Sequence, residues 1–94
     1  MKTFYVYILA SVRNGTLYVG VSSDLVGRTG QHKTAKSDSF TNKYDIRRLV
    51  YYEQADNAEV AMWREKNLKG WNRSWKIALI EKSNTDWRDL SEDF

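Results

Sequence analysis

The sequence predicts an α+β domain: a small three-stranded antiparallel sheet flanked by helices, in the order β-β-α-β-α-α. Two strand-like runs lie at 4–10 and 17–21, and the Asn-Gly pair between them is a hairpin signal. Two segments with helical periodicity, 57–69 and 72–82, follow later in the chain. One sheet with helices packed against it is the simplest way to bury the apolar faces of these elements.

The first strand, Phe4–Ala10, contains only β-branched, aromatic or aliphatic residues, which predicts burial on both of its faces. After the second strand, Ser and Asp at 22–24 predict a helix start, because their side chains accept hydrogen bonds from free backbone N–H groups. Gly27 and Gly30 weaken this helix, each by about 1 kcal/mol relative to alanine. The helix is therefore expected to be weak.

The second half of the chain begins with a polar stretch, 34–43, which predicts a loop. The run RLVYYE at 48–53 predicts the third strand. Gly70 follows the helix at 57–69, and we expect it to be a left-handed C-terminal cap. The last helix follows directly.

Composition indicates one globular domain covering residues 1–94. The hydrophobic fraction is 41%, and the absence of cysteine excludes disulfides and thiolate metal sites. No apolar run approaches the ~20 residues of a membrane span, and the N-terminal alternation favours a strand over a signal peptide, which predicts a cytoplasmic protein with no membrane partner. The tail after about residue 84 is acidic and expected to be loosely anchored, through Trp87 and Leu90.

The charge is concentrated in the middle of the chain. The net charge is +3, but eleven basic and six acidic residues lie between Arg28 and Lys76. A basic region with interleaved aromatic residues is compatible with a phosphate backbone as partner. A lysine-rich solvated surface is the alternative interpretation.

Two tyrosines are candidates for a shared site. If an even number of residues connects the first two strands, Tyr7 and Tyr18 lie on one face of the sheet. A tight turn at 14–15 would place Tyr18 opposite Ser11, whereas a four-residue loop at 11–14 would pair the two tyrosines directly. We expect the longer loop if the tyrosines cooperate. Gly20 leaves room beside Tyr18 for a close approach.

Charged side chains can join these phenols. Arg28 and His32 are four residues apart on a predicted helix and therefore face the same way. Glu65 lies between Ala61 and Leu68 on an apolar stripe, where a carboxylate needs a partner. That partner is either Arg28 or a lysine in a salt bridge, or a hard cation such as Mg²⁺, which takes oxygen ligands.

The ordered set of motifs resembles the GIY-YIG nuclease family. The first motif of the family matches YVY at 5–7, and the second matches YVG at 18–20. The family's arginine, the following histidine and the metal-binding glutamate fall on Arg28, His32 and Glu65. More narrowly, the chain is similar to short stand-alone GIY-YIG proteins of bacteria, whose phrases FT.KY, LVYYE, REK.LKGW and WKIALIE are matched at 40–44, 49–53, 64–71 and 75–81.

The resemblance implies a DNA endonuclease that hydrolyses phosphodiester bonds and depends on Mg²⁺ or Mn²⁺. Finer expectations are selectivity for DNA structure, a link to DNA repair or recombination, and a partner protein that supplies specificity. The implied catalytic residues are Tyr7, Tyr18, Arg28, His32 and Glu65. The candidate contacts to the DNA backbone are Lys33, Lys43, Arg47 and Lys69.

Each implied role has a chemical reason. Tyr18 is the expected base, directly or through a relay, with Tyr7 orienting water or Tyr18. Arg28 would hold the scissile phosphate, and Glu65 would bind the metal ion. His32 has an ordinary pKa near ~6.5 for its side chain and could relay a proton or bind phosphate.

A second class of function stays open: a catalytically weak nucleic-acid-binding or adaptor module that retains the fold. Gly27 and Gly30 depart from the helix-favouring residues usual in the family, and Lys76 lies near the place where many members carry an asparagine. Tyr7 could be simple sheet packing, and Arg28 with Glu65 could be only an ion pair. Packing is also favoured over base stacking for Trp63, Trp71 and Trp75.

Overall fold

The computed structural model describes residues 3–33 and 45–94, with the backbone alone for residues 31–33. The elements are β1 (Phe4–Ala10), β2 (Leu17–Ser22), α1 (Leu25–Lys33), β3 (Arg48–Ala55), α2 (Ala58–Gly70), α3 (Arg73–Ser83) and a 3₁₀ turn (Leu90–Asp93). The three strands form one antiparallel sheet in the order β2-β1-β3. This confirms the predicted α+β class and element order; the predicted loop at 34–43 lies outside the described residues.

The sheet is covered on both faces, which explains why β1 is apolar throughout. Even-numbered residues of β1 such as Val6 and Ile8 pack on a core that includes Ala61 and Leu68 of α2. Odd-numbered residues of β1, Tyr7 and Leu9 among them, join a second core that contains Leu25 of α1. Residues 6–10 are all buried, as the sequence predicts.

The pairing of β1 with β2 differs from both predicted registers. Ala10 pairs with Leu17, so the connection has six residues, and Tyr7 lies opposite Gly20 while Tyr18 lies opposite Leu9. The tyrosines are therefore diagonal neighbours on one face rather than a direct pair. The condition for a shared face, an even number of connecting residues, is met, although the loop has six residues rather than four.

A side chain decides this register. The Ser11 hydroxyl accepts from the Thr16 N–H at 3.0 Å, and the Ser11 N–H donates to the Thr16 carbonyl at 3.1 Å. Asn14 adopts a left-handed backbone with φ 59°, a conformation that asparagine tolerates better than most residues. The serine therefore closes a wider loop than a two-residue turn.

The beginning of α1 explains one of its glycines. Asp24 accepts the Gly27 N–H at 3.1 Å, as the predicted cap requires. A Cβ at position 27 would collide with the Asp24 carboxylate, so glycine allows this cap to fold over the first turn. At Gly30 no described atom lies within 4 Å of a built Cβ. Gly30 therefore weakens the helix without a packing reason in the described part of the chain.

Helices α2 and α3 begin at asparagine caps. The Asn57 and Asn72 side chains each accept a hydrogen bond at 2.9 Å, from the Val60 and Trp75 N–H groups respectively. The prediction that Gly70 is a left-handed cap is wrong, because no described glycine has a positive φ and α2 ends at Trp71 in an extended conformation. Within residues 3–33 and 45–94, no helix is both long and apolar enough to cross a membrane.

The acidic tail is held more firmly than the sequence predicts. Trp87 is fully buried, and its indole N–H donates to Glu81 at 2.7 Å. The buried Asn84 amide donates to the Val50 carbonyl at 3.0 Å, and Asp89 accepts from the Leu49 N–H at 3.2 Å. Side chains of the tail thus satisfy backbone groups of the edge strand β3, which blunts an edge that could otherwise pair with another chain.

Candidate active site

The phenol of Tyr7 lies over the edge strand β2. Tyr7 is 1% exposed, and a Cβ built on its partner Gly20 would lie 2.5 Å from the Tyr7 hydroxyl oxygen. This distance is shorter than real Cβ contacts allow. Glycine at position 20 is therefore what allows the phenol to occupy this place.

Tyr18 and Arg28 meet Tyr7 there. The rings of Tyr7 and Tyr18 have centroids 6.5 Å apart at an interplanar angle of 44°. Arg28 reaches them from α1, and its Nε donates to the Tyr7 hydroxyl oxygen at 3.4 Å. The hydrogen bond with Tyr7 raises the pKa of the guanidinium most, and a hydrogen bond with Tyr18 also raises it. We call these three residues the tyrosine cluster.

Burial sets the protonation state of Tyr7. Desolvation raises the pKa of Tyr7 above its ordinary value of 10.0, and the Arg28 hydrogen bond opposes this only in part. The negative charge of Glu65 also raises the pKa of Tyr7, so this carboxylate lies within electrostatic reach of the phenol. Tyr7 is therefore a neutral phenol at physiological pH. Tyr18 is only half-buried and meets solvent.

Glu65 and Lys69 approach from the other side of the sheet. Helix α2 packs on the opposite face from Tyr7 but contacts β2. The Glu65 side chain is 22% exposed and pairs with Lys69, four residues on, at 3.4 Å. Of the partners predicted for Glu65, a lysine is the one observed. Lys69 also borders a hollow with Tyr18, so this pair lies beside the tyrosine cluster.

The other predicted site residues have different placements. His32 and Lys33 belong to the last turn of α1, but their side chains, like all of Lys43, lie outside the described residues. Arg47 pairs with Asp45 at 2.6 Å just before β3, the strand on the far side of β1 from β2. The structure thus brings together four of the nine predicted residues, with Lys69 as a fifth through Glu65.

Comparison with known protein families identifies the family of this chain. The GIY-YIG catalytic domain matches residues 3–78, which include every residue of the tyrosine cluster and Glu65. This chain belongs to the GIY-YIG family. Its fold is accordingly of the nuclease type, as the motifs predict.

Relatives of this GIY-YIG domain are similarly short. A UPF0213 protein of Staphylococcus saprophyticus is 30% identical over 82 residues, covering 87% of this chain and 99% of the relative. A UPF0213 protein of Lacticaseibacillus paracasei is 28% identical over 87 residues, covering 93% of this chain and 97% of the relative. The solution NMR structure of a UPF0213 protein from Bacillus halodurans is 27% identical, with a TM-score of 0.57, and the likeness covers 96% of this chain and 95% of the other. The chain is therefore similar to stand-alone GIY-YIG proteins over nearly its whole length.

The metal-ligating capacity of this GIY-YIG domain centres on one residue. Within the described ranges, no group of three or more His, Cys, Asp or Glu side chains is arranged to hold a metal ion. Glu65 is a half-buried carboxylate whose negative charge acts on Tyr7 of the cluster. Mg²⁺ commonly keeps several waters and takes one or two carboxylates together with substrate phosphates. The residues present therefore fit Mg²⁺ or Mn²⁺ bound jointly by Glu65 and a substrate, and not a fully protein-coordinated ion.

A second cluster of tyrosine and arginine, which the sequence did not predict, joins β3 to α2. The Tyr51 hydroxyl donates to Glu53 at 2.6 Å, and Arg64 holds the same carboxylate through two N–H groups at 3.0 and 3.3 Å. The guanidinium also stacks over Trp71 at 5.2 Å. We call Tyr51, Glu53 and Arg64 the carboxylate cluster. These residues lie in the family phrases LVYYE and REK.LKGW, which were the signal in the sequence that could have indicated the cluster.

Lys76, to which the sequence assigns no role, lies near the tyrosine cluster. It lines the hollow that contains Tyr18 and Lys69, close to β2. Of the three tryptophans for which packing is favoured, Trp63 and Trp75 lie on the surface, 67% and 58% exposed. Trp71 is half-buried and makes an edge-to-face contact with Trp75 at 5.9 Å between centroids.

Proposed function

We propose that this protein is a DNA endonuclease that depends on Mg²⁺ or Mn²⁺ and hydrolyses phosphodiester bonds. The observation that carries the proposal is the meeting of two phenols and a guanidinium over Gly20, with the Glu65 carboxylate in reach. A site that hydrolyses a phosphodiester needs a group to take a proton from water, a cation to hold the phosphate, and a site for a metal ion. The cluster offers candidates for each of these roles.

Arg28 is the proposed phosphate-binding residue. Its guanidinium is positively charged and is oriented by hydrogen bonds to both phenols. Two phenols orient it without neutralising its charge. The charge can therefore act on the scissile phosphate and offset the negative charge that develops in the transition state. Such a donor typically contributes about 3 kcal/mol to catalysis.

The two tyrosines divide the proton chemistry by their burial. Tyr7 is neutral, because burial raises its pKa, so it acts as a hydrogen-bonding group that orients water or Tyr18. Tyr18 is the more exposed phenol and meets the solvent from which the attacking water comes. We therefore assign Tyr18 the role of base, directly or through a relay. His32, one turn after Arg28, stays the predicted proton relay or phosphate contact.

Glu65 is the residue proposed to hold the metal ion. When bound there, Mg²⁺ or Mn²⁺ would polarise the phosphate and stabilise the leaving oxygen. Glu65 would have to exchange its ion pair with Lys69 for the metal, which frees the lysine ammonium for a DNA phosphate. Lys33, Lys43 and Arg47 remain predicted DNA contacts. Selectivity for DNA structure, a role in repair or recombination, a partner protein and a cytoplasmic location are further parts of the proposal.

A competing function is a nucleic-acid-binding module that cuts little. The Glu65–Lys69 ion pair favours it, because a carboxylate neutralised by lysine is a weaker ligand for a metal ion. The two functions share the tyrosine cluster and differ in whether phosphodiester bonds are broken.

Cleavage assays separate the two. Supercoiled, branched and single-stranded DNA are incubated with the protein and Mg²⁺ or Mn²⁺, beside Arg28→Ala, Glu65→Ala and Glu59→Ala. Glu59 is an exposed carboxylate on the same helix and is the matched control. We expect cleavage by the wild type and Glu59→Ala, and losses of about 100-fold or more in the other two. Absence of cleavage by the wild type, or its survival in both site variants, would overturn the nuclease proposal.

A further inference from the structure

A groove runs along the outer side of β2 toward the tyrosine cluster. Two hollows form it and share Leu17 and Lys76. One, of about 640 Å³, lies between the β1–β2 loop and Arg73, and the other, of about 290 Å³, adds Tyr18 and Lys69. Because they share these two lining residues, the hollows adjoin each other. We call this feature the β2 groove.

The charge of the β2 groove has one sign. Its described lining includes three basic side chains, Lys69, Arg73 and Lys76, and no acid, with Glu65 reaching it only as the ion-pair partner of Lys69. A concave surface lined by one sign of charge concentrates ions of the opposite sign. The groove is therefore complementary to a polyanion rather than to a neutral ligand.

Arg73 serves as the wall of the groove. Its guanidinium donates to the backbone carbonyls of Asn14 and Gly15, the latter at 2.6 Å. These bonds fasten the β1–β2 loop to the beginning of α3. Arg73 is thus a positioning residue, and the remaining cations are the ones that can meet a ligand.

Lys76 is the cation with the strongest reason to bind an anion. It is half-buried, and its ammonium forms no hydrogen bond or ion pair with any group that the structure describes. A partly desolvated ammonium gains more from an anion than a fully hydrated one does. Lys76 also borders both hollows, so an anion there would lie between the loop and Tyr18.

We propose that the β2 groove holds the phosphate backbone of the nucleic-acid strand that enters the active site, with Lys76 as its central contact and Lys69 nearest the site. This inference rests on the proposed function for the position of the scissile phosphate. It adds the path of the strand: past the β1–β2 loop, over Lys76, and on to Tyr18.

Binding without cleavage tests the groove separately from the nuclease function. Fluorescence anisotropy with a labelled DNA oligonucleotide, single-stranded and duplex, is measured in EDTA over a range of salt. The variants are Lys76→Gln, Lys76→Arg and Lys66→Gln. Lys66 is the matched control, because it is an exposed lysine that lines a different hollow with Trp63 on α2.

We expect Lys76→Gln to weaken binding about tenfold at low salt and to reduce the slope of log K against log salt by about 0.9, the value for one lost phosphate contact. Lys76→Arg should restore both, and Lys66→Gln should change neither. Thr16→Glu, an acid placed on the exposed groove wall, should weaken binding without altering Lys76. Equal effects of Lys66→Gln and Lys76→Gln, or no effect of either Lys76→Gln or Thr16→Glu, would overturn the proposal, whatever the cleavage assay shows.

Discussion

Two clusters in this molecule combine tyrosine with arginine, and they differ in one respect. In the tyrosine cluster, Arg28 bonds to the phenols of Tyr7 and Tyr18. In the carboxylate cluster, Arg64 makes a bidentate contact with Glu53, which also accepts a hydrogen bond from the Tyr51 hydroxyl. A neutral phenol orients a guanidinium and leaves its charge in place, whereas a carboxylate cancels that charge.

This difference distinguishes the tyrosine cluster, a candidate site, from the carboxylate cluster, which has a structural role. The carboxylate cluster ties β3 to α2 and covers Trp71, and its charges are balanced within the protein. The tyrosine cluster lies at the edge strand β2 and keeps a positive charge beside a basic groove. The same two residue types therefore stabilise the fold in one place and can meet an anionic substrate in the other.

The largest expected effect tests how the tyrosine cluster is held. In Gly20→Ala the new Cβ would lie 2.5 Å from the Tyr7 hydroxyl oxygen, so the phenol must shift from its place beside Tyr18 and Arg28. Because misplacement of a catalytic group by about 1 Å can cost about 100-fold in rate, we expect a loss of that size in DNA cleavage. The carboxylate cluster should be unaffected. Cleavage is measured beside circular dichroism as a check on folding, and wild-type rates in this variant would contradict the geometry.

The next effect breaks the carboxylate cluster. Glu53→Ala leaves Arg64 without its carboxylate, and both side chains of this pair are 27% exposed. We expect the free energy of unfolding to fall by about 2 kcal/mol, because hydrogen bonds to charged groups contribute about 1.5–3 kcal/mol each. Cleavage per folded molecule should not change. Urea denaturation measures the free energy of unfolding.

A matched control for Glu53→Ala is Arg88→Ala. Its ion pair with Asp93, at 2.9 Å, is exposed on both sides, and such pairs contribute little to stability. We expect no measurable change in unfolding for this variant. If both variants destabilise the protein equally, the half-buried Arg64–Glu53 pair contributes no more to stability than the exposed Arg88–Asp93 pair.

The pH dependence of stability gives a third, smaller effect. Burial, followed by the hydrogen bond to Glu53, raises the pKa of Tyr51 from 10.0 to about 12. A raised pKa means that this contribution to stability is complete below pH 10 and is lost as the pH rises through about 12. Wild type should exceed Tyr51→Phe in unfolding free energy by about 1 kcal/mol near pH 8. The gap should close by about pH 12, and a constant gap across this range would contradict the assignment.

The smallest expected effect sharpens the comparison at α1, the helix that carries Arg28. A methyl group at Gly30 meets no described atom within 4 Å, so Gly30→Ala should stabilise the protein by about 0.5–1 kcal/mol. Gly27→Ala should show no such gain, since its Cβ would displace the Asp24 cap. Thermal or urea unfolding of the two variants decides between these outcomes.

Strand and helix positions were predictable because they follow from local periodicity. Phe4–Ala10 was predicted with its observed bounds, and the asparagine caps at Asn57 and Asn72 lie at the predicted starts of their helices. The error at Gly70 arose because a glycine after a helix permits a left-handed cap but does not require one. The firm attachment of the tail depends on Asn84 and Asp89, whose partners on β3 are more than 30 residues away.

The candidate site was predictable in its members more than in its geometry. Residue types and the family motifs pointed to Tyr7, Tyr18, Arg28 and Glu65, and the structure brings these four together. The diagonal arrangement of the tyrosines was not predicted, because it depends on the Ser11 hydroxyl closing the loop. The sequence shows Lys76 only as a departure from the family pattern. Its position beside Tyr18 could not be predicted, because it depends on how α3 packs.

The sequence alone determined the elements, the face on which each strand residue lies, and the family, because these depend on alternation, capping and ordered motifs within short stretches. The tertiary structure decided the register of β1 against β2, the partner of each arginine, and the groove that joins Lys76 to Tyr18. These features depend on which distant side chains come within hydrogen-bonding distance, and that is settled only when the helices pack on both faces of the sheet.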